Sequence, residues 1–263
     1  MIEPLPRLVG MVHLLPLPGS PRFAGSIDQI LTTATEDARV LVEAGFPALI
    51  VENFGDVPFF ADQVPPETVA AMTRAVDRMV ALGVPVGVNV LRNDALAAVG
   101  VAAVTGARFI RVNVLTGMMY TDQGPIVGKA GEVQRRKKLL APDLEVWADV
   151  MVKHAVAPHG LNLAHVTADT TERGLADALI VSGTGTGEET KLHDARLVRE
   201  SAPEGTRVVA GSGVTVGNID RLLGAVDTII VGSSIKVDAD PNNRPDPLRA
   251  KAFVETAAER GLV

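Results

Sequence analysis

Arg207-Val-Val-Ala-Gly-Ser-Gly-Val214, followed by Thr228-Ile-Ile-Val-Gly-Ser-Ser-Ile-Lys236, carries the pattern that decides the fold. Twice a short β-branched run ends in a glycine–serine turn, and residues 216–224 between them have helical spacing. Reading back toward the N-terminus, the same alternation recurs. Strands are expected at Leu8–Val12, Ala48–Val51, Val86–Val90, Phe109–Val114, Glu145–Val152 and Ala178–Val181 as well as at Arg207–Ala210 and Thr228–Val231. Helices are expected over 27–44, 66–82, 94–105, 130–141, 165–176, 193–201, 216–224 and 247–260. Pro65-Pro66 marks one helix start, and Gly45 and Gly83 mark two stops. Eight strands, each followed by a helix, imply right-handed crossovers and a parallel sheet. The count of eight, and the lack of a glycine-rich fingerprint after the first strand, favour a closed α/β (β/α)8 TIM barrel over a doubly wound sheet.

The chain has 263 residues, close to the roughly 250 of a complete barrel, so residues 1–263 are read as one domain. Hydrophobic residues make up 47% and aromatics only 3%, so Val, Ala, Leu and Ile must fill the interior. A net charge of −6 argues against nucleic acid as the partner, because phosphate backbones attract basic faces. The absence of cysteine excludes disulfides, thiolate metal sites and a cysteine nucleophile. The N-terminal stretch has neither a basic start nor a long apolar core, and no apolar run is long enough for a membrane span. A cytoplasmic protein is the expectation. The Pro-rich stretch Asp238–Pro247 and the low aromatic content leave room for a homo-oligomer.

In a barrel, alternate strand residues face the helices and the others face the lumen. In Glu145-Val-Trp-Ala-Asp149-Val-Met-Val-Lys153, the parity Val146, Ala148, Val150, Val152 is uniformly apolar and suits the helix layer. Glu145, Trp147, Asp149, Met151 and Lys153 then point inward. By the same argument Asn89, Arg111 and Asn113 enter the lumen from the third and fourth strands. An unpaired buried Arg or Asp costs several kcal/mol, so Arg111 and Asp149 are expected to pair, either as a plug of the barrel floor or as part of a site. His13 ends the first strand and Glu52-Asn53 the second, and Lys153-His154 follow the fifth. A histidine and a carboxylate at one mouth suit general acid–base work. Catalytic roles are therefore expected for His13, Glu52, Asp149 and Lys153, and substrate contacts for Asn53, Asn89, Arg111, Asn113 and His154. Ser182 and Thr184, in the flexible turn Ser182–Gly187, complete the substrate wall.

The two glycine–serine turns stand where this fold usually holds phosphate, after the seventh and eighth strands. Gly211, Ser212, Gly213, Gly232, Ser233 and Ser234 are the expected phosphate ligands, helped by the dipole of the helix that Val216-Gly217-Asn218 opens. No spacing demands a metal or a cofactor, and a small phosphorylated ligand is the expected partner. Leu115–Gly131, rich in glycine, reads as an irregular stretch, either a mobile lid or a flexible loop with no role of its own.

Gly10-Met-Val-His13-Leu-Leu-Pro-Leu-Pro-Gly-Ser-Pro21 resembles the opening signature of the BtpA family. Val51-Glu52-Asn53, Asn89-Val-Leu-Arg-Asn-Asp94, Arg111-Val-Asn113, Ala148-Asp149-Val150, Lys153-His154, Val181–Gly187, Gly211-Ser-Gly213 and Val231–Lys236 extend the likeness over nearly the whole chain. The resemblance implies a TIM barrel of the ribulose-phosphate-binding kind. It also implies two functional alternatives: an enzyme among sugar-metabolism functions, or a factor for building or stabilising photosystem I. The family pattern leads one to expect a polar residue, often histidine, where Met151 stands. Methionine there leaves the lumen less able to bind a metal or shuttle a proton. Glu52 and Asp56 also look distantly like the acid–base carboxylates of the tryptophan synthase α subunit, a fold-level analogy.

Overall fold

The computed structural model describes residues 4–183 and 189–263. In chain order the elements are β1 (Leu8–His13), α1 (Ile27–Ala44), β2 (Leu49–Glu52), α2 (Pro66–Val80), β3 (Val86–Asn89), α3 (Ala95–Thr105) and β4 (Phe109–Val112). A hairpin of β5 (Met118–Thr121) and β6 (Gly124–Val127) follows, then α4 (Ala130–Leu140), β7 (Glu145–Met151) and β8 (Ala155–Val156). The chain closes with α5 (Leu163–Ala168), β9 (Ala178–Val181), α6 (Leu192–Ser201), β10 (Arg207–Ala210), α7 (Ile219–Leu222), β11 (Thr228–Val231) and α8 (Pro247–Ala258).

Eight parallel strands close in the order β1-β2-β3-β4-β7-β9-β10-β11, with β11 pairing back to β1. The alternation works as the sequence requires. Leu8, Val12, Val88, Ile110, Val146, Ala148 and Val150 belong to the layer packed on the helices. Val9, Met11, Ile50, Phe109, Trp147, Ile180, Val209 and Ile230 form a separate cluster inside the barrel. Phe109 and Trp147 stack at 4.1 Å between ring centroids, and the Arg207 guanidinium lies over the indole. Gly87 makes room for this floor, since a Cβ there would meet the Phe109 ring at 2.2 Å. The aromatic stack is therefore the floor, and the Arg111–Asp149 pair lies above it.

Four sequence expectations change. The stretch Leu115–Gly131 is not irregular: β5 pairs with β6, and β8 adds a third antiparallel strand. Val114, Met119, Ile126 and Val152 form a small core beneath this sheet, so Val152 buries here and not against the helix layer. The helix expected over 216–224 is the single turn α7, too short to present an N-terminal dipole to an anion. Asn218 instead staples the preceding turn, accepting from Thr215 N at 2.8 Å and donating to Gly213 O at 2.8 Å. The helix expected over 165–176 is split into α5 and a π-helical turn, Asp169–Arg173.

Candidate active site

Parallel pairing sets His13 opposite Glu52, and Glu52 opposite Asn89, so three polar side chains from β1, β2 and β3 stand in one row at the barrel mouth. Asn89 Nδ2 donates to Glu52 Oε2 at 2.6 Å, and His13 Nε2 lies 3.7 Å from Glu52 Oε1. All three are buried or nearly so. Phe54 stacks on the imidazole at 4.2 Å and limits its rotation.

Across the lumen Arg111 grips Asp149 through two bonds, Nε to Oδ2 at 2.9 Å and Nη2 to Oδ1 at 2.8 Å. Asn113 Nδ2 donates to Oδ2 at 3.2 Å and Ser182 Oγ to Oδ1 at 3.1 Å. The Asp149 carboxylate is thus fully occupied, which suits it to orienting Arg111 rather than moving a proton. The lumen also holds two buried amide oxygens, Asn89 Oδ1 and Asn113 Oδ1, without a hydrogen-bond partner among the described residues. Buried acceptors of this kind are costly unless something donates to them.

Lys153 reaches the mouth by a route different from strand alternation. A register shift falls between Asp149 and Met151, and Arg92 Nη2 donates to Lys153 O at 2.5 Å, fixing the chain where it leaves β7. One small cavity, partly open to solvent, is lined by His13, Glu52, Arg111 and Lys153 together with Gly211–Gly213 and Gly232–Ser233. Asn113 and Asp149 border a neighbouring cavity beneath the hairpin. Gly211 has no room for a side chain, because a Cβ would come within 2.4 Å of Ile180 and 2.6 Å of Ser182 Oγ.

Other expected site residues are placed elsewhere. Asn53 is turned away from the lumen: its amide accepts from Leu91 N at 2.7 Å and donates to Leu91 O and to Asp56. Asp56 accepts from Leu17 N at 2.7 Å and holds the loop after β1, so it does not join Glu52. Ser234 Oγ donates to Val214 O at 2.7 Å, tying one phosphate-type turn to the other. Ser212 Oγ accepts from Gly183 N at 2.9 Å. His154 is exposed, beyond the cavity rim, and Thr184 lies outside the described residues. Two residues not singled out from the sequence do take part. Lys236 Nζ sits 2.9 Å from His13 Nδ1 and donates to Pro241 O at 2.6 Å, and Arg92 positions Lys153 as described. Lys236 was visible only as the end of the motif Val231–Lys236. Nothing in its spacing brought it to a histidine at the far end of the chain.

Charge follows from this packing. Burial, then the Lys236 ammonium, push the His13 imidazole down to about 4, against the opposing pull of Glu52. Burial alone would raise Glu52, but His13, Lys153 and Arg111 and the Asn89 bond outweigh it and hold the carboxyl below its ordinary range. Lys153, Arg111 and Asn89 supply the part of that pull that does not need a charged His13, and Glu52 is a carboxylate at neutral pH. Burial and then Arg111 hold the Lys153 ammonium below its usual value. The site at pH 7 therefore combines a carboxylate base, a neutral imidazole and a lysine of eased deprotonation.

His13 also predicts a pH effect. Its folded-state value lies below the unfolded one near 6.5, so its contribution is complete above about 6.5 and is lost as the pH falls toward about 4. Between pH 7 and 4.5 the wild-type protein should lose about 2–3 kcal/mol more stability than His13→Gln. Urea denaturation of both proteins at the two pH values measures this. Equal losses would show that His13 is not held neutral by the fold.

The profile of the BtpA family matches residues 6–259. The chain is 47% identical over 253 residues to the photosystem I biogenesis protein BtpA of Synechocystis, covering 96% of this chain and 88% of that one. It is 45% identical over 252 residues to an uncharacterised protein of Methanocaldococcus jannaschii, covering 95% and 94% of the two chains. Among solved structures, the phosphoribosyl anthranilate isomerase of Thermus thermophilus superposes with a TM-score of 0.58 at 13% identity, covering 97% and 99%. That last likeness is one of fold.

Proposed function

The chain belongs to the BtpA family, and from that premise we propose that it is an enzyme acting on a small phosphorylated metabolite, a phosphosugar or nucleotide-like compound, by isomerase-, lyase- or aldolase-type acid–base chemistry. One observation carries the reading: the turns Gly211–Gly213 and Gly232–Ser233 open onto the same cavity as Glu52, His13 and Lys153. A phosphate on the two turns sets the rest of a small ligand against an ionised carboxylate, a neutral imidazole and a buried ammonium. Glu52 takes a proton from a carbon next to a carbonyl, and Lys153 either neutralises the charge that develops on the carbonyl oxygen or, as the free amine, forms an imine at the carbonyl carbon with loss of that oxygen as water. The name of the Thermus neighbour, a phosphoribosyl-compound isomerase, agrees with a phosphorylated ligand in this fold.

The name of the Synechocystis relative supports a second reading, a non-catalytic factor in membrane-complex biogenesis. No helix among the described residues is long and apolar enough to cross a membrane, so such a role would act through docking.

A thermal-shift screen against phosphosugars, nucleoside phosphates and inorganic phosphate separates the two. A ligand at about a hundred times its dissociation constant adds roughly 2.7 kcal/mol of stability. The expected result is stabilisation by a phosphorylated compound that Ser233→Asp removes by charge repulsion. No shift with any phosphorylated compound would sink the enzyme reading in favour of the biogenesis factor.

A further inference from the structure

We propose that Lys236 is a positioning residue that fixes His13 in one tautomer, proton on Nε2 and lone pair on Nδ1, so that the imidazole serves the cavity as a hydrogen-bond donor and not as a base. An imidazole nitrogen has a single in-plane site, used either to donate or to accept. At His13 Nδ1 two groups compete for it: Pro241 O at 2.9 Å, which would require a proton on Nδ1, and Lys236 Nζ at 2.9 Å, which would require a lone pair.

Three observations choose the lone pair. Pro241 O already accepts a shorter bond, 2.6 Å, from Lys236 itself. An ammonium has no lone pair, so an Nδ1–H would set two donors against each other across 2.9 Å. On the other side of the ring, Glu52 Oε1 faces Nε2 at 3.7 Å, and a carboxylate favours a proton there. The Phe54 ring stacked 4.2 Å away holds the plane in which these choices are made.

The two lysines near the ring act in the same sense. Lys236 and Lys153 disfavour an imidazolium, and Glu52 alone among the charged groups favours one. Lys236 is pushed down to about 8 by burial, while Asp37, Glu52 and Asp240 help retain its proton, so it is still mostly an ammonium at pH 7.

The tautomer stands on this geometry alone; its chemical use rests on the function proposed above. With Nε2–H directed to the lumen beside an ionised Glu52, the two groups divide the labour of proton abstraction next to a carbonyl. Glu52 accepts the proton from carbon while the imidazole N–H donates a hydrogen bond to the carbonyl oxygen, where the electron pair arrives. A neutral imidazole used as an electrophile needs its protonated form suppressed, and this site supplies that condition. The ligand class is thereby narrowed to phosphorylated compounds with an acidic C–H next to a carbonyl.

Long-range proton–nitrogen correlation spectra of the ¹⁵N-labelled protein read the tautomer without any ligand or assay. His13 is one of five histidines and is assigned by the signal that His13→Gln removes. The wild-type protein at pH 7 should show His13 protonated on Nε2 only. Lys236→Arg should preserve that pattern, and Lys236→Met should move the proton to Nδ1, where Pro241 O becomes its acceptor. A wild-type His13 that carries its proton on Nδ1, or on both nitrogens, overturns the proposal. So does an Nε2–H pattern that Lys236→Met leaves unchanged. Because the wild-type spectrum decides first, a poorly folded variant does not rescue the idea. A correct tautomer with no phosphate-dependent thermal shift would reject the enzyme reading and leave the role of Lys236 intact.

Discussion

Replacing Arg111 with methionine is expected to destabilise the protein by about 3–5 kcal/mol, among the largest losses available to a single substitution in this chain. The side chain is fully buried, and its loss strands the Asp149 carboxylate in the lumen with only Asn113 and Ser182 left to solvate it. The buried ion pair itself carries less net stability than that figure, because each charge was costly to desolvate. Arg111→Met/Asp149→Leu should therefore recover part of the loss, though not all, since two donors then lack their acceptor. Urea denaturation of the two variants and the wild type gives both numbers. A single variant within about 1 kcal/mol of wild type would mean that the pair is hydrated and not part of a closed lumen. The aromatic floor of Phe109 and Trp147 already seals the barrel below, so Arg111, held by Asp149, is free to serve as a wall of the cavity.

How far the sequence discloses this arrangement depends on the kind of constraint each residue obeys. Strand alternation is a rule of period two, and it correctly sends Asn89, Arg111, Trp147 and Asp149 inward. It fails where the backbone leaves the rule. The register shift after Asp149 ends the alternation, so Val152 goes beneath the hairpin, and Lys153 reaches the mouth because Arg92 holds its carbonyl. Asn53 belongs to the outward parity, but its motif position beside Glu52 gave no hint that its amide is spent on Leu91 and Asp56. The antiparallel hairpin hid in a glycine-rich stretch whose short strands lack β-branched runs. Lys236 was the hardest to see. It lies beyond the end of β11 and meets His13 only because closure of the barrel places the last strand beside the first.

Glu52→Gln should reduce turnover of the substrate class proposed here by roughly 10²- to 10⁴-fold, the usual weight of a positioned acid–base group. The amide is nearly isosteric and can still accept from Asn89, so the cavity and the ligand-dependent thermal shift should survive. What it lacks is a site for the proton taken from carbon. The pH profile supplies an independent check. The folded carboxyl lies below its ordinary range, so the base form is complete at neutral pH and is lost only as the pH falls through that lowered value. The acid limb of kcat/KM in the wild type should thus begin below about pH 4.3, the free-glutamate value. An acid limb near 6–7 would contradict the lowered carboxyl, and because the His13 imidazole is itself pushed down to about 4, it is the loss in Glu52→Gln that assigns the base to Glu52. Normal turnover by Glu52→Gln would remove the carboxylate from the reaction, and Lys153 would then be the base to test. The basic limb separates the remaining roles. Lys236 loses its proton near pH 8, which frees Nδ1 to become a donor and withdraws the fixed N–H from the cavity. A decline setting in near that pH, present in the wild type and displaced upward in Lys236→Arg, ties the outer lysine to the chemistry at the mouth.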